Sequence, residues 1–224
     1  MIVVVGNPIA RLPDAGGGLA GVPAQVAAAA ARAGATVQLV GKAGEDRAGN
    51  DLMLELARAG IGHVALLRDP AHATPIASAD RKDEAPDAPA GRALADPTDG
   101  APSVSPADPS ERPQLDAADI ELALRYLPDY STIVVAEPIP ETAVAIVADA
   151  ASWVGATLMI VVAGAGEGAA VPASATVFEA PSADPDGSFA TMLGELAAAV
   201  DRGTPIEAAF REVEGRLGLT PAGD

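Results

Sequence analysis

Two stretches of this chain put chemistry-bearing residues just ahead of helical patterns. The first is SADPDGSF, Ser182 to Phe189, followed by a long alanine-rich run. A helix start offers unpaired N–H groups and partial positive charge, so it binds anions. Such a turn either receives a phosphate or fills the place with its own carboxylates. Asp184 suits the N-cap, Pro185 suits the first helical position, and Asp186 complements the helix dipole. The residues therefore predict a self-capped helix start. The second stretch is GKAGEDRAG, with Gly41, Lys42, Gly44, Asp46 and Gly49 between an apolar run and an amphipathic one. Lys42 and Lys82 are the only lysines. Gly16, Gly17 and Gly18 precede a third helical pattern but do not by themselves define a phosphate loop.

The elements that must carry these residues alternate. Ile2–Val5, Thr36–Val40 and His63–Leu67 are apolar runs that read as buried strands. Helical patterns at Ala24–Ala33 and Arg47–Ala59 separate them, closed by Gly34 and Gly60. After a break the rhythm resumes. Helices are expected over Asp116–Leu127, Pro140–Trp153, Pro185–Arg202 and Pro205–Leu217, with strands at Thr132–Ala136, Thr157–Ala163 and Thr176–Glu179. This order predicts an α/β fold, a three-layer sandwich around a mostly parallel sheet. The break, 80–113, holds seven prolines and many Asp, Ala and Ser residues, with no apolar periodicity. It is expected to be a disordered insert within one domain spanning 1–224.

Composition narrows the function. There are 31 acidic and 14 basic residues, a formal net charge of −17. Such a surface disfavours nucleic acid and anionic membrane as partners. The absence of cysteine excludes a thiol nucleophile and thiolate metal sites. His63 and His72 do not form a ligand pattern, so no metal site is expected. MIVVVG has neither the basic leader nor the length of a signal peptide, and no apolar run is long enough to span a bilayer. A cytoplasmic protein is the expectation.

The segment GATVQLVGKAGEDRAGNDLMLELARAGIGHVALLRDP, Gly34 to Pro70, resembles the N-terminal half of the ribokinase-like (PfkB) carbohydrate and nucleoside kinases. FATMLGELAAAVDRGTPIEAAFREV resembles the last two helices of that family. The resemblance implies an α/β sandwich with a small β-sheet lid, and transfer of the γ-phosphoryl of ATP, with magnesium, to an alcohol. It also implies a G-A-G-D turn before the penultimate helix, whose aspartate is the base. Here Asp184, Pro185, Asp186 and Gly187 stand in its place. Pro185 has no N–H to give, and the aligned base is Gly187. A shift of one residue makes Asp186 the base, with Gly187 and Ser188 beside the phosphate. Arg11 stands where the family has a sugar-binding aspartate, Gln25 where it has an asparagine, and Asp14 is a substitute carboxylate. Nine residues between Gly6 and Gly16 leave little room for lid strands, so the lid is expected to be reduced or absent.

The expectation is thus a shortened, degenerate member with lost or weak kinase activity. Its residual pocket, formed by Arg11, Asp14, Gln25 and Lys42, would take a small polar and preferably anionic ligand. The alternative is an active sugar or nucleoside kinase using Asp186, ATP and magnesium. A third is a non-catalytic subunit that pairs, as a homodimer or with another chain, through the face a missing lid leaves bare.

Overall fold

The computed structural model describes residues 1–11, 18–77, 111–164, 171–182, 184 and 186–217. Asp14, Pro185 and nearly all of the 80–113 segment lie outside them. Six strands form one sheet: β1 (Ile2–Val5), β4 (Val37–Gly44), β5 (Leu66–Asp69), β7 (Thr132–Val135), β8 (Thr157–Ala163) and β9 (Thr176–Ala180), in the spatial order β5-β4-β1-β7-β8-β9. Every neighbouring pair is parallel. A parallel sheet is covered on both faces, which is why its strands are continuous apolar runs rather than alternating ones.

The two faces build two cores. Ile2 and Val4 point to one face, where α1 (Val22–Arg32), α2 (Arg47–Arg58), α5 (Ser188–Asp201) and α6 (Ile206–Leu217) pack. Val3 and Val5 point to the other, covered by α3 (Ala117–Tyr126) and α4 (Glu141–Val154). The closest helix pair is α1 with α5. A Cβ on Gly194 would sit 2.5 Å from the Val26 carbonyl oxygen and 2.6 Å from the Ala29 Cβ. Only a glycine admits that approach. This is the expected three-layer α/β sandwich.

A second sheet joins three short strands, β2 (Ile9–Arg11), β3 (Leu19–Ala20) and β6 (Ile76–Ala77), in the order β3-β2-β6. Among the described residues this second sheet consists of these three short strands alone. Asp46 anchors it. Its carboxylate caps α2 through the Gly49 N–H at 2.7 Å and also accepts from the Thr74 N–H and hydroxyl, both at 2.8 Å, just before β6. Burial pushes the Asp46 pKa up, but these hydrogen bonds outweigh it and hold the group below its ordinary value.

Several boundaries differ from the sequence expectation. β4 runs on to Gly44, so Gly41, Lys42 and Gly44 lie in the strand, because Gly41–Gly44 pair with β5. That pairing also places β5 at Leu66–Asp69 instead of His63–Leu67. The helix expected from Pro185 begins at Ser188, after Gly187 in a left-handed conformation (φ 70°).

Candidate functional site

Strand order decides where a ligand can sit. β1 is flanked by β4, which follows it, and by β7, with which the chain begins to wind the other way. Open parallel sheets bind ligands outside the carboxyl ends of the strands at such a reversal. Gly6 and Asn7 leave β1 there, and Ala136 and Glu137 leave β7. The Asn7 N–H donates to the Glu137 carboxylate at 2.6 Å, and its side-chain amide donates to the Pro113 carbonyl at 2.9 Å. The Lys42 N–H in turn donates to the Asn7 Oδ1 at 2.8 Å. Asn7 thereby ties β1, β4, the β7 exit and the approach to α3 into one constellation.

Asn7 and Glu137 line a cavity of about 250 Å³, together with Ile9 from the small sheet, Pro75, Arg112 and Gln114. Burial pushes the Glu137 carboxyl up to about 7, against the opposing pull of the Asn7 N–H and the Arg112 charge. A carboxyl that titrates near neutrality, beside hydrogen-bonding groups in a crevice, can bind hydroxyls and exchange protons with them.

The start of α5 forms a separate place. The Asp184 carboxylate accepts from the Phe189 N–H at 3.0 Å and the Ala190 N–H at 3.1 Å, and lies 3.5 Å from the Ser188 hydroxyl. Asp186 accepts from the Ser188 N–H at 3.1 Å, and this bond holds its pKa below the ordinary value. The left-handed Gly187 is what lets Asp184 reach back over the first turn. Gln25, on α1, packs its side-chain oxygen 3.2 Å from where a Gly187 Cβ would be. Gln25, Asp186, Gly187, Thr191 and Arg32 line a cavity of about 480 Å³.

Residues 4–102 match the pfkB family carbohydrate kinase model. A putative ribokinase II from E. coli, without ligand, superposes over 100% of this chain and 93% of its own, with a TM-score of 0.63 and 11% identity. Ribokinase from Arabidopsis thaliana, complexed with ribose and ATP, gives 0.58 at 16% identity, over 97% of this chain and 91% of its own. The fold is ribokinase-like, and residues 4–102 carry the likeness to the pfkB carbohydrate kinases. An uncharacterized sugar kinase from Pyrococcus horikoshii aligns at 17% identity and a TM-score of 0.49, over 72% of this chain. The match spans only 55% of that protein's length. No curated protein matches the chain.

The ribokinase-like fold brings some of the predicted residues together and separates others. Gln25, Asp186 and Gly187 share one cavity. Ser188 faces a different surface hollow with Phe189 and Met192. Arg11 is exposed at the end of β2. The Lys42 ammonium is bound to Asp119 of α3 at 2.5 Å. Asn7, Glu137 and Arg112 were not among the residues expected from sequence. For Asn7 and Glu137 the signal was a polar residue in the second position after a buried strand and just before a proline, in VVVGNP and VVAEPIP; Arg112 had no such signal. Among the described residues no group of His, Asp and Glu side chains is arranged to hold a metal, and no helix is long and apolar enough to cross a membrane.

Proposed function

We propose that this chain is a ribokinase-like protein with lost or weak kinase activity, which retains a pocket for a small hydroxylated ligand at the carboxyl ends of β1 and β7. One observation carries the reading. The N–H groups of Ser188, Phe189 and Ala190 already serve the carboxylates of Asp186 and Asp184. An incoming phosphate would have to displace anions that are part of the chain. The turn therefore does not fit the phosphates of ATP, and no phosphoryl-transfer step is assigned to it.

The ligand follows from the other constellation. Asn7, Glu137 and Arg112 offer donors and acceptors of the kind that hold a polyol, and the Arabidopsis neighbour is a ribose complex. The sequence favoured an anion because of Arg11 and Lys42. The Lys42–Asp119 pair cancels the lysine's charge, and this shifts the preference toward a neutral ligand. The 250 Å³ cavity suits a compound of about monosaccharide size.

The common cavity of Gln25, Asp186 and Gly187 supports a second reading, an active ATP-dependent sugar kinase with Asp186 as base. Calorimetric titration with a panel of sugars, with and without Mg-ATP, separates the two when combined with an assay of ADP release. The first reading expects sugar binding that Asn7→Ala removes, and no steady ADP release. Clear turnover that Asp186→Asn abolishes while the fold persists would establish the second.

A further inference from the structure

Far from both constellations, α3 and α4 leave an apolar groove between them. Its floor is Leu124, Leu127 and Tyr130, and its wall on α4 is Ile146 and Trp153, enclosing about 590 Å³. Ile146, Asp149, Ala150 and Trp153 recur at i, i+3, i+4 and i+7, so they share one face of α4. Trp153 is the chain's one tryptophan and is 90% exposed; Tyr126 on α3 is 71% exposed. Tryptophan held open to water over an apolar groove has the composition of a binding hot spot.

The charges on the rim say what would fill it. Arg125 is paired with Glu121 at 2.5 Å. Asp129 and Asp149, both exposed, have no ion-pair partner among the described residues. Asp129 stands at the lip in the left-handed backbone region, φ 61°, the only non-glycine residue there among those described. That conformation costs a side-chain-bearing residue energy, and such costs concentrate at binding and functional sites. Asp149 lies one turn before Trp153, so a guanidinium or ammonium can pair with the carboxylate while stacking on the indole.

We infer that this groove docks an amphipathic segment of a partner protein, with apolar side chains against Leu124, Ile146 and Trp153 and an arginine or lysine between Asp149 and Asp129. The 14 residues of α4 extend about 21 Å, room for a partner helix of about four turns laid alongside. A second copy of this chain is disfavoured. It would bring Asp129 and Asp149 of both copies together, its Arg125 is already committed, and each chain carries −17.

The sole tryptophan makes the groove self-reporting. The full chain is titrated with a synthetic 14-residue amphipathic helix of leucine and arginine, and with a scrambled peptide of identical composition, while Trp153 emission is followed. The expected result is a saturable blue shift with the amphipathic peptide, about tenfold tighter than with the scrambled one. Asp149→Lys weakens that binding about tenfold, whereas Asp51→Lys on α2, an equal change in net charge, leaves it unaltered. Ile146→Glu, monitored by circular dichroism for intact fold, abolishes the shift. Equal binding of both peptides, or equal weakening by Asp149→Lys and Asp51→Lys, would overturn the inference in favour of unspecific attraction to a polyanion. A blue-shifted emission in the free monomer would overturn it in favour of a segment of this chain. A concentration-dependent shift with doubled mass would overturn it in favour of self-association.

Discussion

Glu137→Gln tests the electrostatics of the crevice directly. The carboxyl titrates near 7 in the folded protein, against an ordinary value of 4.5, and burial is the main cause. The folded state therefore keeps a proton that the unfolded chain releases. Stability from this group is fully present below about 4.5 and is lost as pH rises through 7. A shift of about 2.5 units corresponds to about 3 kcal/mol at 1.36 kcal/mol per unit. Glutamine keeps an acceptor for the Asn7 N–H and removes the charge. At pH 5 the variant and the parent should unfold at similar urea concentrations. At pH 8 the variant should be the more stable by up to about 3 kcal/mol, or roughly 6–12 °C in Tm for a chain of this size. The assay is urea and thermal unfolding at several pH values between 5 and 8. Parallel curves for the two proteins would refute the reasoning and return Glu137 to an ordinary solvated carboxylate.

Three further outcomes are expected. Asp184→Ala frees the Phe189 and Ala190 N–H groups and should cost about 1 kcal/mol in urea unfolding, without producing ATP turnover. Asp46→Ala strands the Thr74 N–H and hydroxyl and the Gly49 N–H, and should cost about 2 kcal/mol or more at pH 7. Because the Asp46 pKa is held below its ordinary value, that difference should shrink as pH falls through the folded pKa, which unfolding at pH 3 and pH 7 would check. Gly194→Ala drives a methyl into the Val26 carbonyl and should lower stability by roughly 1–3 kcal/mol, read from the urea midpoint.

The strands of the large sheet were legible because burial on both faces makes runs such as IVVV, TIVV and TLMIVVA, which need no alternation to be recognised. The small sheet was not. Strands of two or three residues carry no periodicity, and what holds Ile76–Ala77 in place is Ala10 and Arg11, far back in the chain. The same limit governed the crevice. A polar residue after an apolar strand was visible at Asn7 and Glu137, but their hydrogen bond depends on β1 lying beside β7, which no local pattern states. Asp184 was readable as a cap. Its reach to Phe189 and Ala190 was not, since it depends on the left-handed Gly187 between them. Lys42 was read as a pocket residue favouring an anion; its pair with Asp119 was not legible, because Asp119 sits on an element from the other half of the chain.

The central position of β1 sets the timetable of synthesis. Ile2 pairs with Val37 on one side and with Thr132 on the other. When β4 has left the ribosome, β1 can close one edge. The other edge waits for β7, roughly a hundred residues later, which is on the order of 5–20 s at ordinary translation rates. Throughout that interval an apolar IVVV strand presents an open row of backbone donors and acceptors, the feature that recruits strands from other chains. Nascent chains of this protein therefore carry their greatest aggregation hazard at mid-synthesis. Slowed translation between the codons for β4 and β7 should lower the soluble yield more than slowing elsewhere.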